Sequence, residues 1–190
     1  MAQDAVWANA PRNDPWVTAV LQNRASVELR QFIGTFPENS EIMITDRYGG
    51  LVATTTRPSR YFMADEAWWQ NAHNIGFGAT YFSPPQINPR SGLPFIEISL
   101  PLFSSQAGGG RNIAGVLHAT YSLKSLEDLM VNAEFGQTGQ VRLHLPGAEL
   151  GINEAGRLYI FTEDILSEQQ LTELLTAEES YSVIEQAGDS

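Results

Sequence analysis

The hydrophobic period of this chain changes once, near residue 40, and that change limits the folds open to it. Between Pro15 and Ile33, the residues Val17, Val20, Leu21, Val27, Phe32 and Ile33 keep a loose helical spacing. From Glu41 onward the apolar residues come in short runs bounded by Gly, Pro, Asp and Asn, as strands do. A helical lead followed by short strands and short helices predicts an α+β domain around a central antiparallel sheet. Asp14 and Pro15 mark the helix start, as N-cap and first helical residue, and Gly34 marks its end. One long N-terminal helix over 14–33 is therefore expected, with a further helical turn in residues 2–10 (AQDAVWANA).

Residues 41–45 (EIMIT) and 51–55 (LVATT) read as a hairpin around the turn 46–50 (DRYGG), whose Asp and Gly are the residues such turns demand. After a loop over 56–64, Asp65 is placed to cap a short helix reaching Asn74 (DEAWWQNAHN), stopped by Gly76 and Gly78. Strands are expected at 79–83, 94–102 and 112–121, with a turn-rich connection at 84–92 and a loose loop (SSQAGGG) between the last two. Ser122 or Ser125 caps a helix to about Asn132. Past the break at 136–139, residues 140–145 and 157–161 repeat the strand–turn–strand pattern. A helix follows, with Ser167 as cap and Leu166 stapled onto Leu171, and then a possible strand at 181–185. The expected division is 1–36 as a helical lead, 37–135 as the main module, and 136–190 as a partial second module.

Composition narrows the function. A chain of 190 residues without Cys has neither disulfides nor thiolate chemistry. With 22 acidic against 11 basic residues, its net charge of −11 argues against nucleic-acid and anionic-membrane partners. No apolar run approaches the roughly 20 residues of a membrane-spanning helix.

Five strings in order, IMITDRYGGLVAT, AWWQNA, YFSPPQINPRSGLPFIEISLPL, IAGVLHATYSLKSLEDLM and GQTGQVRL, closely resemble Cache sensor domains over about Ser40 to Leu143. These are PAS-like extracytoplasmic ligand-binding modules of bacterial histidine kinases, chemoreceptors and cyclic-dinucleotide enzymes. The resemblance implies a PAS-like sheet with a long N-terminal helix and flanking short helices. It implies a periplasmic or extracellular position between transmembrane helices lying outside these residues, and a homodimer formed through the N-terminal helix. By the same analogy residues 140–190 open a membrane-proximal module of double-Cache type.

The resemblance also implies a small-molecule site between the sheet and the short Trp helix, at Arg60, Tyr61, Trp68, Trp69, Tyr81, Ser83, Ser99, His118 and Thr120. Aromatic walls with a few orienting polar groups suit such a site. Trp68 and Trp69 are consecutive on a helix, so one is expected to face the sheet and the other elsewhere. Amino-acid-binding Cache domains carry an Arg two residues before the first helix aromatic and an Asp near the end of the last long strand. Glu66 and Thr120 stand there instead, which argues against an amino-acid ligand. Arg60 is the cation left to hold a small organic acid, or else a solvated loop residue.

Of the three histidines, His73 is spaced to stack on Trp69, and His118 to point inward with Val116 and Thr120 as a hydrogen-bonding group. With His144 they fall on separate elements, so no metal site is expected, and no cofactor is implied. The acidic pairs at 65–66, 127–128, 163–164 and 178–179 read as helix-end or solvated residues. No nucleophile elbow, H-E-x-x-H or phosphate-loop pattern occurs, and the Gly108–Gly110 run leads into no helix, so an enzyme is not expected. Two rival readings remain: an interaction module whose pocket is filled by its own side chains, and a soluble enzyme on a PAS-like scaffold.

Overall fold

The computed structural model describes residues 2–89, 91–105, 111–133, 141–145, 148–153 and 155–161. Its main sheet is antiparallel, formed by β1 (Asn39–Asp46), β2 (Leu51–Thr54), β3 (Tyr81–Phe82), β4 (Gln86–Ile87), β5 (Pro94–Ser105) and β6 (Arg111–Ser122). The strands lie in the order β2-β1-β6-β5-β3, with β4 also pairing with β5. The expected hairpin is present. Asp46 Oδ1 accepts the N–H groups of Tyr48 (2.8 Å) and Gly50 (2.9 Å), and Gly49 takes the left-handed conformation (φ 90°) that closes the turn.

The N-terminal region is helical but not one helix. It consists of α1 (Ala2–Asn9), α2 (Pro15–Gln22) and α3 (Arg24–Thr35). Asp14 caps α2 as expected, accepting the N–H groups of Trp16 and Val17. The predicted continuous rod is broken at Asn23, which is extended (ψ 166°). Its side chain accepts the Ser26 N–H at 2.9 Å and donates to the Val52 carbonyl at 2.8 Å. An Asn that caps a new helix while reaching the sheet competes with the helical path, and here it wins. Ser26, fully buried, completes the joint: its hydroxyl donates to the Val20 carbonyl (2.7 Å) and accepts the Thr54 N–H (2.9 Å). The free edge of β2 is thus satisfied by the corner between two helices.

The two faces of the sheet are covered differently. Directly opposed residues share a face, so Met43, His118, Ser99 and Tyr81 line one side in register, as do Ile42, Ala119, Ile98 and Phe82 on the other. On the first side α2 and the short helix α4 (Ala67–His73) bury Val17, Val20, Trp68, Trp69 and Ala72 against Met43, Leu51 and Val116, with Trp7 of α1 fully buried among them. On the second, Leu29 and Phe32 of α3 lie over Ile42, Leu117 and Ala119 beside a cavity of about 330 Å³. Gly115 is where β6 meets the Thr45 carbonyl of β1, too close for any side chain.

After β6 the chain forms α5 (Lys124–Asn132) and a second antiparallel sheet of β7 (Arg142–Leu145), β8 (Ala148–Ile152) and β9 (Leu158–Phe161), in the order β7-β8-β9. Leu123 occupies the cap position of α5 and gives no side-chain cap, although Ser122 Oγ accepts the Lys124 N–H at 3.2 Å. The sequence pattern predicts strands at 140–145 and 157–161 but not β8, which separates them. Glu149 and Gly151 interrupt its apolar run and lie on the face opposite Leu150: Glu149 is buried on Arg142 (2.8 Å), and Gly151 makes room for the Phe161 ring. Leu150 and Leu158 pack with Leu123, Met130, Ile96 and Tyr121, which joins this sheet to the main one. The expected helix from Ser167, the strand at 181–185, the break at 136–139 and the Gly108–Gly110 run lie outside the described residues.

Candidate functional site

The α4 helix has only seven residues, and it is held to the sheet by its two tryptophans. Both are buried, at 6% and 7% exposure, and both meet the same sheet, contrary to the expectation that one turns away. The helix lies so that its two neighbouring side chains straddle the contact. The Trp68 ring stacks on the His118 ring, centroids 4.1 Å apart and planes 28° from parallel. Trp69 donates its indole N–H to Thr45 Oγ1 at 2.9 Å and stacks on His73 at 4.4 Å, as the four-residue spacing predicts. Asp65 does not cap the helix; Glu66 stands at the cap position without a side-chain bond.

Beneath Trp68, His118 Nδ1 meets the buried Ser99 hydroxyl at 3.1 Å. Burial pushes the His118 pKa down to about 4, so the ring is neutral at pH 7. Its Nε2 lies 4.0 Å from Glu97 Oε1. Burial raises the Glu97 pKa, the nearby Glu66 charge raises it further, and a hydrogen bond from Gln86 opposes both. Ser83, buried, fixes the strand that carries Glu97: its hydroxyl accepts the Glu97 N–H at 2.8 Å and donates to the Pro84 carbonyl at 2.9 Å. Tyr81 is half-buried opposite Ser99, and Thr120 half-buried opposite Glu97.

The sequence-derived residues therefore divide. Trp68, Ser99 and His118 are in mutual contact or hydrogen-bonded sequence, and Tyr81, Ser83 and Thr120 surround them on β3 to β6. Arg60 lies at the rim, tied by its guanidinium to Asp65 (2.6 Å) and Glu66 (2.6 Å). Tyr61 is elsewhere, in an aromatic cluster with Trp7 (5.6 Å) and Trp16 (4.6 Å) between α1 and α2. Burial and the Asp46 charge raise its phenol pKa. Glu97 and Gln86 were not singled out from sequence. The available signal was parity: Glu97 alternates with Ser99, so a charge occupies an inward position of β5.

The loop leading to α4 is fastened to α1. Asp4 Oδ1 accepts the N–H groups of Tyr61 (2.9 Å) and Phe62 (2.8 Å), and Trp7 donates to the Pro58 carbonyl at 2.9 Å. Among the described residues no group of three His, Asp or Glu gathers as a metal site. No helix among them is long and apolar enough to cross a membrane.

No family model matches the chain, and no curated protein matches it. Solved structures do. The extracellular domain of rpHK1S-Z16, assigned as a histidine kinase, superposes with a TM-score of 0.50 at 20% identity, covering 66% of this chain and 52% of that one. The ligand-binding domain of the Campylobacter jejuni chemoreceptor Tlp3, with L-norvaline, gives 0.45 at 14% identity over 70% of this chain and 52% of that one. The sensor domain of the V. cholerae histidine kinase DctB gives 0.37 at 18% identity, covering 67% and 48%. The chain spans about half the length of these structures. The rpHK1S-Z16 likeness shows a shared fold, and the PAS-like sheet expected from the Cache resemblance is the sheet observed.

Proposed function

We propose that this chain is the extracytoplasmic small-molecule sensor domain of a transmembrane receptor, of Cache type, with residues 37–135 as the ligand-binding module and 136–190 as part of a second. The observation that carries the reading is the stack of Trp68 on His118, an aromatic cover over the hydrogen-bonding pair of His118 and Ser99. A solute that enters between α4 and the sheet lifts Trp68 and takes its place on His118, Ser99 and Glu97. The loop before α4 is bound to α1, so displacement of α4 is felt by the N-terminal helices. Ligand shifts that balance only by its differential affinity for the two arrangements. An organic acid at Arg60 must displace two carboxylates already in place, whereas a neutral or cationic solute at Glu97 meets a carboxylate held by the Gln86 side chain rather than by Arg60. The half-exposed Phe32 of α3 and Phe36, which follows that helix, support a homodimer through the N-terminal helices, which sedimentation at rising concentration tests.

A second reading, a self-filled interaction module, draws on the same burial: Trp68 already occupies the site, and every buried polar side-chain atom among the described residues has a partner. A thermal-shift screen over amines, sugars, organic acids and amino acids separates the two. Saturating ligand at a hundredfold its Kd adds about 2.7 kcal/mol, a rise of several degrees. A hit lost in Glu97→Ala supports the sensor; no hit in any class supports the self-filled module. Turnover in a hydrolase or oxidoreductase panel would instead favour an enzyme.

A further inference from the structure

Near the corner between α2 and α3 the chain gathers cations that the sensor site does not use. Arg12, from the α1–α2 connection, Arg30 of α3 and Arg57, from the loop after β2, line an open cleft of about 690 Å³ with Gln22, Thr55 and Thr56. These are three of only 11 basic residues in a chain of net charge −11, and no Asp or Glu is among the cleft's lining residues. None of the three forms an ion pair among the described residues. The nearby Glu41 accepts the Thr56 hydroxyl at 2.7 Å.

Main-chain carbonyls orient two of these guanidiniums instead. Arg30 donates to the Leu21 carbonyl at 2.8 Å. Arg57 donates to the carbonyls of Trp7 and Ala10 and lies over the Trp7 ring, 5.1 Å from its centroid. A carbonyl fixes a guanidinium without cancelling its charge, and several N–H donors of each Arg stay available. The planar fork of Arg matches oxyanions, and charge-assisted bonds of this kind are the strong ones. Three cations assembled without an acid among them repel one another, and a bound anion removes that cost.

We propose that this cleft binds a small, multiply charged oxyanion of the phosphate class, gripped by Arg12, Arg30 and Arg57. Its volume leaves room for an organic body carrying the oxyanion. An occupant there bridges the α1–α2 connection, α3 and the loop that leads to α4, so it fastens the helical lead to the sheet independently of Trp68 and His118.

The test is isothermal titration with pyrophosphate at constant ionic strength, on the wild type, Arg12→Gln, Arg30→Gln, and Arg24→Gln as the control. Arg24 sits on α3 paired with Glu28, outside the cleft. Saturable binding is expected in the wild type and in Arg24→Gln, and at least about tenfold weaker binding in each cleft variant, from the lost charge-assisted bond. Unchanged circular-dichroism melts in the variants show that the fold is kept. Cosedimentation with phosphatidylcholine vesicles, with and without phosphatidic acid, separates the sources. Pyrophosphate binding alone identifies a soluble anion. Binding to phosphatidic acid vesicles that is lost in the cleft variants identifies a lipid phosphate. Absence of saturable binding to either probe, or equal binding by Arg24→Gln and the cleft variants, overturns the proposal.

Discussion

The carboxylate of Glu127 accepts the main-chain N–H of Leu158 at 2.7 Å, across the seam between α5 and the second sheet. Lys124 and Arg157 donate to the same carboxylate, which is 1% exposed. Burial alone would raise its pKa, but Lys124, the Leu158 N–H and Arg157 together hold it below the usual glutamate range. The acid read from sequence as a helix-end or solvated residue stands in the first turn of α5 and is a buried clasp between that helix and β9.

Removing that clasp tests its weight. Glu127→Ala leaves the Leu158 N–H without an acceptor, and a loss of about 2–3 kcal/mol is expected in urea denaturation. Glu127→Gln keeps an acceptor oxygen and loses less. Because the folded pKa is depressed, the charge contribution is present above the unfolded glutamate pKa and fades as pH falls through the folded value. The wild type therefore weakens with acid more steeply than Glu127→Gln.

His118 titrates in the opposite chemical sense with the same sign of outcome. Its folded pKa, about 4, lies below the ordinary 6.5, so the unfolded chain binds the proton first. Stability is full above about pH 6.5 and declines as pH falls towards 4, by roughly 2 kcal/mol between pH 7 and 5. His118→Gln removes that part of the slope. An imidazole resonance assigned to His118 that titrates near its ordinary value would contradict the burial argument.

The Trp69–Thr45 bond is expected to behave as a coupled pair. Trp69→Phe and Thr45→Val each cost about 1–2 kcal/mol, because each leaves the partner group buried and less well satisfied. The double variant then costs less than the sum by about 1 kcal/mol. Additivity in the cycle would show that the bond contributes little.

Ser26→Ala removes two buried bonds at once, one to the Val20 carbonyl and one from the Thr54 N–H. A loss of about 2 kcal/mol is expected, with faster amide exchange at Thr54 than at Ala53. Unchanged exchange at Thr54 would mean that the edge of β2 is held by something other than the corner.

Much of the main sheet was legible because its signals are local. The Asp46–Gly50 turn, the period-two runs on either side, and the Asp14–Pro15 start each specify geometry within a few residues. The misses came from side chains whose partners are distant. Asn23 breaks a helix that its spacing supports because Val52, 29 residues on, offers a carbonyl. Glu149 looks like a loop acid until Arg142 is beside it, and Glu127 like a solvated one until β9 is. At the site, alternation put His118 on one face with Val116 and Thr120, and Ser99, expected there from the Cache resemblance, meets His118. Glu97 shares that alternation with Ser99 but was not singled out, because a charged residue in that position carries no sign of its neighbours Gln86 and Glu66. Arg60 was identifiable as a cation, and its capture by Asp65 and Glu66 depended on how the loop turns.

The bend at Asn23 determines what kinds of motion the helical lead can pass on. An unbroken helix travels along its own axis like a piston, and any push at one end arrives at the other. Here α2 rests on one face of the sheet and α3 on the other, and the elbow between them is pinned to the rim of β2 by Asn23 and Ser26. Axial sliding would have to break both pins. Swivelling about the elbow would break neither, so the sheet rim is placed as a fulcrum about which a tilt of α2 on the α4 side would be returned as a tilt of α3 on the opposite side.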